Sequence, residues 1–324
     1  MPQPPRLLDE VRKAIRIRHY SYRTEKAYVD WIRRFVIFHG KRHPKSMGGA
    51  EVEIFLSHLA RDRNVSAATQ GQALAALLFL YRRVLNVDLP WIKDVVRATR
   101  PKRLPTVLSQ NEAQGVLANL QGVHWLIGGL LYGSGLRLTE ALRLRIKDLE
   151  LDNLRILVRD GKGRKDRVTI LPATLVPHLR AHVAKVRELH RQAIERGFGG
   201  VELPFALERK YPHAQLQWGW QYVFPASRAS TDPRTATNRR HHVFEDSVQR
   251  QVRNAARSAG IEKPVSPHTF RHSFATHLLE NGYDIRTVQE LMGHKDVTTT
   301  QIYTHVMTKG INAVKSPFDV GNPR

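Results

Sequence analysis

Only two short apolar runs in this chain, Leu154 to Val158 and Val168 to Leu171, read as β-strands. Elsewhere apolar residues return at helical intervals, which restricts the fold to a mainly α architecture with a small β-sheet, an α+β class. One stripe carries Ala27, Tyr28, Trp31, Phe35 and Val36, after a Ser/Thr start at Ser21 to Thr24. Others carry Val52, Phe55, Leu56 and Leu59, then Leu74, Leu77, Leu78, Tyr81 and Leu85. Because these aromatics share apolar stripes, they are expected to build a core rather than to stack on bases.

Residues 6 to 95 therefore read as helical, and residues 1–96 as a helical domain. A basic, proline-broken linker follows at 97–106, containing the run RATRPKRL. A second domain is expected over 107–324. Its first helix starts at Ser109, where SQNE forms a capping box, and runs toward Leu120. Trp125 to Tyr132 is a second helix, stopped at Gly133-Ser134-Gly135, and helical spacing resumes over Leu138 to Leu149. The two strand runs flank Gly161, Lys162, Gly163 and Arg164, a β-hairpin with a basic, glycine-rich tip. A long amphipathic helix spans Pro172 to Arg196, and residues 197–240 break the pattern. Further helices are expected over Phe244 to Ala259, Pro267 to Asn281, Ile285 to Met292 and Thr298 to Val306.

Charge narrows the partners. The 324 residues hold 52 Lys and Arg against 29 Asp and Glu, a formal net charge of +23. An excess of that size repels itself unless a polyanion neutralises it, so nucleic acid is the expected partner. Lys41, Arg42 and Lys45 crowd one loop, Arg61 and Arg63 the next, and Arg82 and Arg83 a third. Such cations suit phosphate contacts that position a protein without reading sequence. No apolar run approaches the roughly 20 residues of a membrane span, and MPQPPRLLDE has no signal-peptide hydrophobic region. A cytoplasmic, nucleoid-associated protein with no membrane partner is expected. The absence of cysteine excludes thiolate zinc sites, iron–sulfur clusters and disulfides.

The chemistry concentrates in the last quarter. His268 and Arg271 stand three apart in HTFRH, so a helix would project both from one face. His294 follows in GHKD and Tyr303 in IYTH. Far upstream, Arg137 in GSGLRLTEALRL opens a helix, where free amides already favour anions, and Glu140 lies one turn later as a cap or as support for a cation. Two guanidiniums, two imidazoles and a phenol read as a phosphodiester site in which the phenol is the candidate nucleophile. His268 and His272 have a metal-ligand spacing, but the glutamate of HEXXH is missing, and no metal or other cofactor is expected.

The ordered set Arg137, Lys162, His268-x-x-Arg271, Gly293-His294 and Tyr303 resembles the tyrosine recombinases of the phage-integrase and Xer type. So do the words GSGLRLTE, GKGRK, HTFRHSFATHLL and LMGHKDVTTTQIYTH. The resemblance spans the chain and implies a SAM-like helical core-binding domain followed by a tyrosine recombinase catalytic domain. It implies that Tyr303 is the nucleophile and His268 its base. Arg137, Arg271 and His294 would hold the phosphate, with Glu140 supporting them. Lys162 would protonate the leaving oxygen, although Lys165 could reach instead. It further implies a homo-tetramer on two DNA sites, exchanging C-terminal tails.

The stretch between Lys162 and His268 is longer than in minimal Xer-like members. It looks like the insertion that marks integron integrases, enzymes similar in recombining gene-cassette sites folded from single-stranded DNA. Trp218, Trp220, Pro233, His241 and His242 in and beside it, with Arg239 and Arg240, then become candidates for gripping unpaired bases. Three alternatives stay open: a recombinase of ordinary duplex sites, a non-catalytic DNA-binding regulator on the same fold, and a type IB topoisomerase.

Overall fold

The computed structural model describes residues 6–89, 104–159, 166–203, 207–232 and 237–306. The chain divides into two compact units, Met1–Arg103 and Leu104–Arg324.

Among the described residues four α-helices make the first unit: α1 (Leu7–Ile17), α2 (Tyr22–Phe38), α3 (Gly49–Arg61) and α4 (Ala67–Phe79). Ser21 and Ser66 start α2 and α4 by accepting the backbone N–H of Thr24 at 3.1 Å and Thr69 at 3.2 Å. A π-helical turn, Leu80–Leu85, prolongs α4 and ends at Asn86, whose φ of 54° is left-handed. The stripes read from sequence close one core containing Ile32, Phe35, Val52, Phe55, Leu56, Leu77 and Tyr81. Trp31 belongs to that core and donates its indole N–H to Gln72 at 3.1 Å.

The second unit opens with α5 (Gln110–Ala118), α6 (Gly122–Gly133) and α7 (Leu138–Arg143). The capping box at Ser109 is formed from both sides: Ser109 Oγ accepts Glu112 N–H at 3.1 Å, and Glu112 accepts Ser109 N–H at 2.7 Å. A three-stranded antiparallel sheet follows, in the order β1 (Leu149–Glu150), β2 (Arg155–Val158) and β3 (Arg167–Ile170). Sequence reading found β2 and β3 but not β1, which is two residues long. The register pairs Arg155 with Ile170 and Val158 with Arg167. Then come α8 (Val176–Glu195), the short α9 (Leu207–Lys210) and a two-stranded ribbon of β4 (Ser230–Thr231) and β5 (Asn238–Arg239). The unit closes with α10 (Glu245–Ser258), α11 (Pro267–Glu280), α12 (Ile285–Met292) and α13 (Thr298–Gln301), plus a 3-10 turn over Ile302–Val306 where one continuous helix was expected.

β3 is inverted with respect to an ordinary half-buried strand. Thr169 is buried and donates its hydroxyl to the Ser134 carbonyl at 2.8 Å, while Val168 and Ile170 are exposed. The large core of this unit gathers Leu108, Ile127, Leu130, Leu142, Phe224, Val252 and Phe270. A satellite core gathers Phe274, Ala275, Val288, Met292 and Tyr303. Among the described residues no helix is long and apolar enough to cross a membrane.

Candidate active site

α11 is the centre of the site. Pro267 occupies its first turn, where a missing N–H costs nothing, and its middle is buried on nearly every side. Arg271 is only 3 % exposed. Its guanidinium donates to the carbonyls of Gly135 and Met292 and, at 3.2 Å, to His294 Nε2. One side chain thus fixes the GSG turn after α6 and the end of α12. Burial pushes the Arg271 pKa down to about 9, with Arg137 adding and Glu140 opposing, so it stays charged at neutral pH.

The donor at His294 fixes its tautomer. A guanidinium cannot accept a hydrogen bond, so Nε2 must accept from Arg271. Nδ1 then carries the proton and donates to Thr300 Oγ1 at 2.9 Å. His294 sits where it does because Gly293 ends α12 with a φ of 62°.

Arg137 lies just before α7. Its backbone N–H and Nη1 both donate to Glu140, at 2.8 and 2.7 Å. The same carboxylate receives Arg167 through two parallel bonds of 3.0 and 2.7 Å. Burial would raise the Glu140 pKa, but the Arg167 hydrogen bond and charge, followed by Arg137, hold it at about 2. Sequence reading gave Glu140 a supporting role and missed Arg167 altogether. Its only signal was a cation at the mouth of a strand, the commonest place for a solvated one.

Tyr303 is 4 % exposed and packed into the satellite core. Its hydroxyl meets His272 Nδ1 at 3.0 Å, not His268, the base expected from sequence. The His268, His272, Tyr303 and His294 rings follow one another with centroid separations of 6.5, 5.6 and 6.2 Å. Burial raises the phenol pKa, and Arg271 and Arg137 oppose that. Burial, with His268 and Arg271 adding, pushes His272 down to about 4. The contact is therefore one between a phenol and a neutral imidazole. His268 presents a solvent-facing edge in the first turn of α11, and its pKa is lowered by partial burial, then by Arg271 and Arg137. It too is neutral at pH 7, as a base must be.

Lys162 and Lys165, the candidate acids, and Pro233 lie outside the described residues. In the first unit Lys41 and Lys45 are exposed. Arg42 donates to the Ser46 carbonyl at 2.9 Å and lies 3.4 Å from Glu51. In the insertion, Arg145 anchors the chain by donating to the Trp220 and Glu202 carbonyls at 2.9 and 2.8 Å. Lys147 Nζ stands 3.0 Å from the Trp220 ring centre, and Arg187 lies 5.7 Å from that of Trp218. Arg239 does not face outward as expected: it is buried and forked onto Glu208. Arg240 donates to the Ala226 and Ser227 carbonyls. His241 is 3.9 Å from Glu202, and His242 Nδ1 donates to the Val243 carbonyl at 2.8 Å.

Buried guanidiniums converging beside a phenol and neutral imidazoles can bind a phosphodiester and attack it. Comparison with known proteins agrees. Residues 106–309 match the phage integrase family, and residues 7–91 match the N-terminal SAM-like domain of phage integrases. An integrase/recombinase of Escherichia coli is 51% identical over 99% of this chain and 97% of its own length. The tyrosine recombinase XerA of Thermococcus kodakarensis is 31% identical over 94% of this chain and 93% of its own. A crystal structure of the XerH site-specific recombinase bound to its palindromic difH substrate shares the fold, with a TM-score of 0.58 and 22% identity over 93% of this chain and 81% of that one. The chain belongs to the phage integrase family and is a site-specific tyrosine recombinase.

Proposed function

We propose that this recombinase is an integron integrase, capturing and excising gene cassettes through sites folded from single-stranded DNA. The observation that carries the reading is the make-up of the insertion over 197–240. Trp218 and Trp220 are half-buried, each with a cation against its ring. Flat rings interleaved with cations suit unpaired bases better than a closed duplex.

Tyr303 Oη attacks the scissile phosphorus, forming a 3′-phosphotyrosine bond as the bond to the 5′-oxygen breaks. The phenol proton passes to the imidazoles of α11, His272 at 3.0 Å from the hydroxyl and His268 the next ring along, and Lys162 gives a proton to the departing 5′-oxygen. Arg137 and Arg271 hold the non-bridging oxygens, for which the planar guanidinium is the matching shape. His294, held between Thr300 and Arg271, orients the Arg271 guanidinium toward the phosphate. Because the covalent intermediate keeps the phosphodiester energy, rejoining needs no nucleotide cofactor and no metal. Cleavage requires Tyr303 to leave the satellite core. A homo-tetramer on two sites, working in the cytoplasm on the nucleoid, completes the reading.

A nicked suicide substrate offered as a folded hairpin and as the matching duplex tests it. Covalent complex is expected mainly on the hairpin. Trp220→Ala should weaken hairpin capture by about 1–3 kcal/mol per lost stack while sparing the duplex. Equal or better trapping on the duplex overturns the cassette reading in favour of a recombinase of duplex sites.

A further inference from the structure

Arg167 has no role in the reaction as described above, yet the site is assembled around it. It lies at the start of β3 with a side chain only 10 % exposed, against 7 % for Glu140. Its two terminal nitrogens reach the two Glu140 oxygens at 3.0 and 2.7 Å, and its Nε donates to the Leu291 carbonyl at 2.9 Å. With the backbone and side chain of Arg137, Glu140 accepts four hydrogen bonds, two on each oxygen. That fills the roughly four lone-pair sites of a carboxylate.

The contact reaches the GH loop as well. A Cβ on Gly293 would lie 2.7 Å from Arg167 Cδ, so the residue before His294 is a glycine partly because Arg167 lies against it. The inverted face of β3 has the same origin: Arg167 and Thr169 turn inward to polar partners, leaving Val168 and Ile170 outside.

We propose that Arg167 is a positioning residue for strand cleavage, locking Glu140 onto Arg137 and tying the β2–β3 hairpin to the loop that carries His294. Three segments of the site then share one rigid joint: the start of α7, the hairpin whose connection contains Lys162, and the end of α12. Glu140 saturated from the far side holds the Arg137 guanidinium by a single nitrogen. The other two nitrogens of Arg137 stay open to a phosphate. Lysine could not do this, because one ammonium cannot present the planar fork to Glu140 and also reach the Leu291 carbonyl. This role rests on the recombinase assignment and is independent of the DNA form preferred.

The test follows covalent-complex formation on a suicide substrate at saturating enzyme, with DNA affinity and melting temperature measured on the same full-length proteins. Wild type and Tyr303→Phe bracket the assay: if wild type forms no complex, the recombination chemistry itself fails. Arg167→Lys keeps the charge and the stem against Gly293. It is expected to bind DNA as wild type does and to cleave roughly 10- to 100-fold more slowly, the cost of a site loosened by about 1 Å. In a Glu140→Gln background the same change should cost less than about threefold, because the partner it positions is already gone. Arg167→Gln, whose amide ends near the position of the arginine Nε and falls short of Glu140, should cleave more slowly than Arg167→Lys. The proposal is overturned if Arg167→Lys cleaves at the wild-type rate, if its loss matches a loss of DNA affinity, or if the loss is undiminished beside Glu140→Gln. An Arg167→Lys protein that does not fold also overturns it, making Arg167 a structural requirement.

Discussion

Replacing Glu140 with glutamine keeps the shape of the side chain and removes its charge from among three guanidiniums. The Glu140 pKa is held at about 2 in the folded chain, against an ordinary value of 4.5. A folded-state pKa below the unfolded one adds stability above the unfolded value and loses it as pH falls through the folded value. The difference of about 2.5 units, at 1.36 kcal/mol each, gives about 3 kcal/mol at pH 7. This agrees with the roughly 3–5 kcal/mol expected when a buried ion pair loses one partner. At pH 3 Glu140 is still mostly ionised when folded and mostly protonated when unfolded, so the contribution shrinks to a little over about 1 kcal/mol. Urea unfolding of wild type and Glu140→Gln at both pH values measures the gap directly. It should narrow by more than half between pH 7 and pH 3. A gap that stays constant, or one under about 1 kcal/mol at pH 7, refutes the charge argument.

Other consequences follow from the same geometry. His272 should remain neutral from pH 8 down to about 5 in an imidazole NMR titration, with its midpoint near 4; a midpoint near 6.5 would place it outside the buried contact with Tyr303. Gly293→Ala introduces a side chain at a φ of 62° and against Arg167, and should lower stability by about 1–3 kcal/mol in thermal melts, together with cleavage. An unchanged melt would mean that the loop yields freely. Glu208→Ala strands the buried Arg239 guanidinium, though Glu208 itself is 40 % exposed, and should destabilise by about 1–3 kcal/mol, whereas Glu208→Ala with Arg239→Met should recover part of it. Equal losses in the single and double variants would count against a buried pair.

What the sequence disclosed, it disclosed through local rules. Ser21 and Ser109 marked helix starts because a cap is read from a residue and its third neighbour. The stripe through Trp31 and Phe35 marked a core because helical spacing is regular. Arg137, Arg271 and Tyr303 were legible as chemistry because their types suit a phosphate, and the structure gathers them. The pairing of Tyr303 with His272 was not legible, since 31 residues and a turn of chain separate them. His272 drew notice only for its spacing from His268. Arg167 was hidden for a related reason: β3 carries its polar side inward, and alternation cannot say which face is the buried one until the partner carboxylate is in place. Arg239 erred the other way, a cation beside other cations that turns out to be buried on Glu208.

The central claim is a covalent bond between DNA and one phenol. Trapping the complex on a nicked substrate, digesting both partners and sequencing the joined peptide by mass spectrometry tests it most directly. The expected product is the peptide containing Tyr303 joined to the 3′-phosphate of the cleaved strand, with a free 5′-hydroxyl on the other fragment. Attachment to any other residue, or to a 5′-phosphate, contradicts the account.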